Sequence, residues 1–464
     1  MTEHFDLAIV GTGSGNSILD DRFEDWKVAI VERDVFGGTC LNRGCIPTKM
    51  LVVPADMAHA VGAARRLGVD LHLDGVRWRD LRDRVFGRID AIAASGERYR
   101  SGQRQVSVFA GDGSFSGDKE MTVEVDGRRR TFSADRFVLA VGARAQVPEI
   151  PGLAEFGFHT SDTVMRIDEL PRRMLVIGAG FIATEMTHVF SAFGTEVVMV
   201  TRGDGVLTHH DPDVSAAATA AIETRARLHR HARVRGVTGQ RESALVAIED
   251  SSGRLTKVET DLILVATGRI PNGDQLRLEA TGLSLDEGGF IPTDATLETR
   301  VPGIFALGDA TSSAMLKHVA NHQARVVQHN LLSPASPMRV EQRFVPHAVF
   351  GEPQVAAVGL SEPEAGAAGY DVVCGYRRYG DTAYGWALDD EHSFCKLVAD
   401  RATRRLLGAH IVGPHASILI QQLVQGLCSD LSVEQMARGQ MYPHPALTEV
   451  VEQALLDLAR KFGD

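Results

Sequence analysis

The chain has 464 residues, of which 44% are hydrophobic and 23% charged, and its formal net charge is −11. This length exceeds what one hydrophobic core usually supports, so we expect two or three domains. The acidic balance argues against a nucleic-acid partner, and no apolar run reaches the roughly 18 residues that a membrane helix needs. The polar N-terminus does not resemble a signal peptide, which predicts a cytoplasmic protein.

A short apolar strand that ends in a glycine turn occurs twice. Residues 5–13 read FDLAIVGTG and residues 173–180 read RMLVIGAG, and we expect a helix and a second strand after each. Apolar, β-rich runs of this kind are typical of buried parallel strands. Two such βαβ units predict two dinucleotide-binding domains.

The elements between and after these units complete the predicted fold. A helical region is expected at roughly 49–105, followed by short strands and a linker at 147–153. Further buried strands are expected at 261–272 and 303–311, and a linker rich in Pro and Ser at 332–346. Strands of an antiparallel sheet and two helices close the chain. The predicted fold class is α/β, with two Rossmann-like domains and a C-terminal α+β domain.

The first glycine turn reads GTGSGN and predicts a dinucleotide site, with Asn16 where a third glycine is usual. Gly11 would permit the tight turn, and Gly13 would let the backbone approach a pyrophosphate. Glu32, at the end of the second strand, could accept hydrogen bonds from both ribose hydroxyls. Asp309 follows a buried strand and could either cap a helix or contact a cofactor chain. Together these favour a flavin nucleotide, and a ligand-free strand–turn–helix is the alternative.

The second glycine turn reads GAGFIA at 178–183 and fits the pattern GxGxxA. Thr201 stands where Glu32 stands in the first unit, and Arg202 lies beside it. Without a carboxylate to repel a 2′-phosphate, and with an arginine to pair with it, NADPH is favoured over NADH. The alternative is that Arg202 is an ordinary surface arginine.

Two of the five cysteines, Cys40 and Cys45, lie close together in GGTCLNRGCIPTK. Zinc sites usually combine two Cys or Cys/His pairs, which are missing here, so no metal is expected. Structural disulfides are rare in the cytosol. A helix that starts near Pro47 would favour a thiolate, so the pair is interpreted as a reversible redox couple.

Six motifs occur in an order that resembles the flavoprotein disulfide reductases, which include glutathione reductases and lipoamide dehydrogenases: GTGSGN, GGTCLNRGCIPTK, GAGFIATE, ATGRIPN, GIFALGDAT and HPALTE. The resemblance covers nearly the whole chain. It implies FAD in the first site, NADPH (with NADH possible) in the second, and a homodimer. The implied domains are an FAD-binding domain at 1–146 and 265–335, an NAD(P)H-binding domain at 147–264 and a dimerisation domain at 336–464.

The resemblance also implies roles for individual residues. Cys45 would lie nearer the flavin, Cys40 would attack the substrate disulfide, and Lys49 with Glu185 would form a pair beside the flavin. The implied FAD contacts are Gly11, Gly13, Ser14, Glu32, Thr39, Gly142, Asp309 and Ala320. The implied contacts of the nicotinamide nucleotide are Gly178, Gly180, Ile182, Arg202, Gly268 and Arg269.

The C-terminal motif HPALTE is implied to complete the active site of the partner subunit. His444 would act as general acid/base and Glu449 would orient it, consistent with a leaving thiolate that needs a proton. The implied substrate is a low-molecular-weight disulfide, and Asp20 and Asp21 stand where an anionic substrate would require a cation.

Flanking segments, among them YGDTAYGWALDD and MARGQMYPHPALTEVVEQALL, narrow the implied substrate. They resemble the branch of the family whose substrate is built from acetylated cysteine, glucosamine and inositol. Lipoamide dehydrogenase and glutathione reductase are the alternatives within the family. A flavin-binding sensor or structural subunit without reductase activity is the alternative from another class.

Overall fold

The computed structural model describes residues 3–240 and 243–463. The chain forms two compact units, each assembled from three segments of the sequence. The first unit comprises Met1–Thr48, Asp80–Gln146 and Gly268–Gln342. The second unit comprises Lys49–Arg79, Val147–Thr267 and Arg343–Asp464.

The strands are β1 (Glu3–Val10), β2 (Val28–Glu32), β3 (Val106–Ala110), β4 (Asp112–Gly117), β5 (Glu120–Val125), β6 (Arg128–Leu139), β7 (Ala143–Ala145), β8 (Arg173–Ile177), β9 (Glu196–Val200), β10 (Ala226–His229), β11 (Arg233–Gln240), β12 (Ser243–Glu249), β13 (Leu255–Thr260), β14 (Leu262–Val265), β15 (Arg269–Pro271), β16 (Ile304–Ala306), β17 (His347–Val349), β18 (Val355–Gly359), β19 (Val372–Arg378), β20 (Phe394–Asp400) and β21 (Arg405–Val412). The α-helices are α1 (Gly38–Asn42), α2 (Cys45–Arg66), α3 (Trp78–Ser101), α4 (Leu153–Phe156), α5 (Phe181–Ala192), α6 (Pro212–Glu223), α7 (Lys317–Leu332), α8 (Glu362–Ala367), α9 (Ala383–Leu388), α10 (Ala416–Cys428), α11 (Val433–Arg438) and α12 (Thr448–Lys461).

The main sheet of the first unit has the strand order β3-β2-β1-β6-β5-β4, and β16 also pairs with β6. The pairs β2–β3, β1–β2, β1–β6 and β6–β16 are parallel, whereas β4–β5 and β5–β6 are antiparallel. Along β1, Leu7, Ala8 and Ile9 are fully buried, with hydrophobic clusters on the two faces of the sheet. Burial on both faces explains why the strand reads as a continuous apolar run.

The helix expected after the first glycine turn is absent, and this expectation was wrong. Two short 3₁₀ turns, Gly15–Ile18 and Asp21–Phe23, occupy the connection to β2. The buried Arg100 on α3 donates to the side chain of Asn16 at 2.7 Å and to the backbone carbonyls of Asn16 and Leu19. These hydrogen bonds from Arg100 satisfy the carbonyls of a segment that follows a non-helical course.

The described residues of the second unit form three sheets. The parallel sheet β10-β9-β8-β14 carries the second glycine turn after β8, and α5 follows that turn as predicted. A small antiparallel sheet has the order β11-β12-β13. The five-stranded antiparallel sheet β17-β18-β21-β20-β19 shares one core with α10 and α12, built around side chains such as Leu397, Leu423 and Leu455. The C-terminal antiparallel sheet is therefore where the sequence predicted it.

The helical region expected at 49–105 consists of α2 and α3, separated by residues 67–77. The helix α2 begins in the first unit and continues in the second, because the division falls between Thr48 and Lys49. In the described part of the chain, no helix combines the length and the apolar character that crossing a membrane requires.

Candidate redox site and dinucleotide-binding turns

Two glycines, one in the turn after β1 and one at the start of α1, have no room for a side chain. Gly11 has φ +99°, and a Cβ there would lie 2.4 Å from the carbonyl oxygen of Ala140. A Cβ at Gly38 would lie 2.6 Å from the Cα of Gly13, so the turn packs directly against the start of α1. This contact brings the cysteine-containing segment to the edge of the predicted dinucleotide site.

The predicted ribose-binding carboxylate is already part of the turn. Glu32 Oε2 accepts hydrogen bonds from the backbone N–H of Thr12 at 2.8 Å and from its hydroxyl at 2.6 Å. The other oxygen, Oε1, accepts from the backbone N–H of Asp34 at 3.0 Å. A carboxylate has about four lone-pair sites, so this position retains capacity for a ribose hydroxyl.

Polar groups from the C-terminal part of the first unit meet the same turn. Lys317 Nζ donates to Ser14 Oγ at 2.7 Å, and Ser14 Oγ lies 3.2 Å from Asn321 Oδ1. Burial raises the pKa of the Asp309 carboxyl, an effect partly offset by Arg269 and Lys317. A partly buried carboxyl and cations beside a glycine turn fit a ligand with both phosphate and hydroxyl groups.

Three more of the residues predicted to bind FAD lie in the first unit. Gly142 has φ +64°, and its carbonyl accepts from the backbone N–H of Asn272 at 3.0 Å. Ala320 is buried on α7, where its methyl group would contact a Cβ placed at Gly308. Thr39 lies on α1, directly before Cys40. Gly268 and Arg269, predicted to bind the nicotinamide nucleotide, also belong to this unit, and Arg269 donates to the Ala143 carbonyl.

The two redox cysteines are held by a short helix and the start of a long one. Cys40 lies on α1, and Cys45 is the first residue of α2. The buried Asn42 side chain ties α1 to the preceding chain by donating to the carbonyls of Phe36 at 2.9 Å and Gly38 at 3.1 Å. Both cysteines are free in the structure, and as a dithiol they would be the reduced form of the predicted redox couple.

The two thiols differ in acidity. A hydrogen bond from Cys45, opposed by burial and assisted by Lys317, lowers the pKa of Cys40 to about 7. The same hydrogen bond raises the pKa of Cys45, and burial acts in the same direction. These directions favour the thiolate on Cys40, with Cys45 as its S–H donor.

The second glycine turn has one closed and one open position. Gly178 has φ +126°, and a Cβ there would lie 2.1 Å from the carbonyl oxygen of Ala266. Gly180 is the N-cap of α5 and faces open space, and Ile182 follows in the first turn of this helix. An open helix N-terminus preceded by a tight turn can accommodate a pyrophosphate.

The end of β9 carries the side chains predicted to select the nucleotide. Thr201 is buried and its hydroxyl accepts from the backbone N–H of Gly203 at 3.2 Å, whereas Arg202 is exposed. Asp204, two residues after Arg202, carries a carboxylate, and its Oδ1 lies 3.0 Å from His231 Nε2.

Lys49 and Glu185 meet at a third residue that sequence reasoning missed. The Lys49 ammonium lies 3.8 Å from the centre of the Phe350 ring, and Glu185 Oε1 accepts from the backbone N–H of Phe350 at 2.9 Å. Burial lowers the pKa of Lys49, while Asp56 and Glu185 act in the opposite direction. Phe350 directly follows β17, in a part of the sequence without a motif, so no local signal identified it.

His444 and Glu449 lie within hydrogen-bond distance of each other, as the motif predicts. His444 Nδ1 lies 2.7 Å from Glu449 Oε1, and Glu449 Oε2 accepts from the backbone N–H of Ala446 at 3.2 Å. The hydrogen bond from His444 lowers the pKa of Glu449. The His444 side chain is 70% exposed in the single chain. The carboxylate holds one ring nitrogen, which leaves Nε2 for exchange of a proton.

Two strand–glycine-turn units, with an asymmetric cysteine pair packed against the first, define a dinucleotide-dependent thiol–disulfide oxidoreductase. Residues 5–324 match the family described as pyridine nucleotide-disulphide oxidoreductase, and residues 345–455 match the dimerisation domain of that family. The chain belongs to the pyridine nucleotide-disulphide oxidoreductase family. The predicted fold class, enzyme class and cofactor types, a flavin and a nicotinamide nucleotide, are confirmed by this membership.

Individual relatives cover the chain almost completely. It is 47% identical over 467 residues to mycothione reductase from Mycobacterium tuberculosis, covering 98% of this chain and 100% of the relative. It is 31% identical to dihydrolipoyl dehydrogenase from Halobacterium salinarum, covering 97% of this chain and 95% of the relative. The chain shares its fold with the Cu(II) complex of the HOCl-induced flavoprotein disulfide reductase RclA from Escherichia coli, with a TM-score of 0.86. The two chains are 22% identical, and the match covers 98% of this chain and 100% of the other.

Proposed function

We propose that the protein catalyses the NADPH-dependent reduction of mycothione, the disulfide of mycothiol, to two thiols. The observation that carries the disulfide chemistry is the Cys40–Cys45 pair, in which one thiol is acidic and the other donates a hydrogen bond to it. The substrate is inferred from the full-length likeness to the mycobacterial mycothione reductase. The reaction is placed in the cytoplasm, where thiols are kept reduced.

The domains follow from the same proposal. An FAD-binding domain would comprise residues 1–146 and 265–335, an NAD(P)H-binding domain residues 147–264, and a dimerisation domain residues 336–464. The two glycine turns support the first two assignments, and the match to a dimerisation domain supports the third. When bound, FAD and NADPH supply the two electrons that reduce the cysteine pair.

Substrate reduction proceeds by two thiol–disulfide exchanges. The Cys40 thiolate attacks one substrate sulfur, so that the substrate S–S bond breaks, a mixed disulfide forms and the first thiolate leaves. Cys45 then attacks the Cys40 sulfur of the mixed disulfide, which forms the Cys40–Cys45 disulfide and releases the second thiolate. Each leaving thiolate takes up one proton. With a pKa of about 7, Cys40 is ionised in about half of the molecules at neutral pH.

The protons are proposed to come through His444 of the partner subunit. Glu449 holds Nδ1 of the ring, which keeps Nε2 available to protonate the leaving thiolate. The high exposure of His444 in the single chain supports a role across a subunit interface. Homodimers of this kind are consistent with the dimerisation domain.

Lys49 and Glu185 are proposed to act on the nicotinamide side of the reaction, and Arg202 to bind the 2′-phosphate of NADPH. The exposure of Arg202 and the threonine at position 201 support this preference. An enzyme specific for NADH would be expected to carry a carboxylate there instead.

A turnover panel tests the proposal. Mycothione, glutathione disulfide and lipoamide are each assayed with NADPH and with NADH. We expect mycothione with NADPH to give the highest kcat/KM. Preference for lipoamide with the NAD couple would instead favour dihydrolipoyl dehydrogenase, to which the chain is 31% identical. Flavin binding without turnover of any of these disulfides would refute the reductase proposal.

A further inference from the structure

A polar cluster centred on a buried histidine connects the helices that carry Lys49 and Glu185. His188 is fully buried on α5, three residues after Glu185. Its Nε2 lies 2.8 Å from Asp56 Oδ1 on α2, and its Nδ1 lies 3.1 Å from Arg225 Nη1. The reaction described above uses none of these three residues.

The hydrogen bonds fix the tautomer of His188. An arginine can only donate, so Nδ1 must accept the hydrogen bond from Arg225. Nε2 therefore carries the proton and donates it to Asp56. Arg225 is itself held by hydrogen bonds to the carbonyls of Glu352 and Ala221. Its guanidinium cannot deprotonate under ordinary conditions, so the direction of the His188–Asp56 bond is constant.

The His188–Asp56 hydrogen bond lies on the same helix faces as Lys49 and Glu185. Lys49 and Asp56 lie seven residues apart on α2, which is about two helical turns and places them on one face. Glu185 and His188 lie three residues apart on α5, again on one face. The two helices are thus linked twice along these faces, once by His188 with Asp56 and once where Lys49 and Glu185 both contact Phe350.

The surroundings of the cluster keep it rigid. His188 lines a small cavity together with Thr184, Glu352 and aliphatic side chains. The His59 ring lies 6.0 Å from that of His188, and burial lowers the pKa of His59 to about 4, so it adds no positive charge at neutral pH. A buried imidazole with both nitrogens bonded has one orientation, and losing either partner would leave a buried polar atom unpaired.

We propose that His188 and Asp56, fixed by Arg225, are positioning residues that hold Glu185 on α5 in register with Lys49 on α2. The inference rests on the proposed function, in which these two charged residues serve electron transfer from the nicotinamide. Because both cysteines lie outside this cluster, its loss should slow reduction of the enzyme by NADPH and leave the exchange with substrate disulfide intact. Misplacement by about 1 Å can slow a reaction roughly a hundredfold.

The test compares two substitutions at one position in the flavin-loaded dimer. Asp56→Asn retains an oxygen that can accept from His188 Nε2, whereas Asp56→Ala has none. Asp56→Ser, too short to reach, is a second loss variant should the alanine protein fold poorly. Glu249→Ala is the matched control, since it removes an ion pair of the same unit, with Arg235 on β11, and neither residue adjoins Asp56, His188 or Arg225 in sequence.

Three quantities are measured: the rate of reduction by NADPH, the rate at which the prereduced enzyme reacts with disulfide, and amide hydrogen exchange of residues 181–192. For Asp56→Ala we expect NADPH reduction to slow roughly tenfold to a hundredfold, exchange in α5 to rise about tenfold and the disulfide step to stay unchanged. Asp56→Asn and Glu249→Ala should behave as the parent enzyme.

Two results would overturn the positioning role. One is an Asp56→Ala enzyme with parent-like NADPH reduction and parent-like exchange in α5, and the other is an Asp56→Asn enzyme as impaired as Asp56→Ala. The proposed function fails differently, because the parent enzyme itself would then turn over no disulfide with NADPH. The hydrogen-exchange contrast between the two Asp56 variants would still decide whether the cluster holds α5.

Discussion

The unequal acidity of the two cysteines leads to a quantitative prediction. Cys40 has a pKa of about 7 against a usual value of 9.0, and the hydrogen bond from Cys45 is its largest cause. Replacing Cys45 by alanine removes that donor, so we expect the pKa of Cys40 to return toward its usual value. The thiolate fraction at pH 7 would then fall from about one half to about one hundredth, roughly 50-fold.

The observed rate should fall by less than the thiolate fraction. A thiolate of higher pKa is the better nucleophile, and with a Brønsted coefficient of about 0.45 two pKa units increase its reactivity about eightfold. The net expectation at pH 7 is a rate of disulfide exchange roughly sixfold lower. At pH 10 Cys40 is largely ionised in both proteins, so the Cys45→Ala variant should react about sevenfold faster than the parent. The pH profiles of the two proteins should cross near pH 8.

The assay is the reaction of the reduced, flavin-loaded enzyme with a neutral aromatic disulfide between pH 5 and 10. It is performed in a Cys428→Ser background, because Cys428 is exposed and would contribute its own signal. The matched control is Cys45→Ser, whose hydroxyl can still donate to the Cys40 thiolate and should keep the midpoint closer to 7. A profile for Cys45→Ala with an unchanged midpoint would refute the assignment of Cys45 as the donor.

Three further predictions concern the remaining site residues. His444→Ala should lower disulfide turnover about 10²- to 10⁴-fold in steady-state assays and leave the stopped-flow rate of reduction by NADPH unchanged; equal loss in both steps would contradict its role. Arg202→Ala should raise KM for NADPH about tenfold and leave KM for NADH unchanged. An equal rise in KM for both nucleotides would contradict the proposed contact between Arg202 and the 2′-phosphate. Gly178→Ala, whose Cβ would lie 2.1 Å from the Ala266 carbonyl, should lower the melting temperature by several degrees, while Gly180→Ala should weaken NADPH binding at an unchanged melting temperature.

Local pattern and long-range contact account for what the sequence could and could not predict. The glycine turns, the second Rossmann helix and the His444–Glu449 pair depend on residues close in sequence, and all appear where they were expected. The chain after the first turn forms 3₁₀ turns instead of the predicted helix, and its carbonyls accept from Arg100, which is far away in sequence. Phe350 was missed for the same reason, since its contacts with Lys49 and Glu185 arise only in the folded second unit.

The direction of the hydrogen bond between the cysteines is also beyond sequence reasoning, and it has a chemical consequence. Spacing and a helix N-terminus predict an acidic thiol somewhere in the pair but do not say which one. The lowered pKa of Cys40 and the raised pKa of Cys45 favour Cys45 as the donor of their hydrogen bond, and Lys317 lowers the pKa of Cys40 further. The thiol proposed to attack the substrate is therefore the one with the lower pKa. Because Cys45 is the less acidic thiol, we expect it to attack only after Cys40 has formed a mixed disulfide and no longer accepts its hydrogen bond, which would set the order of the two exchanges.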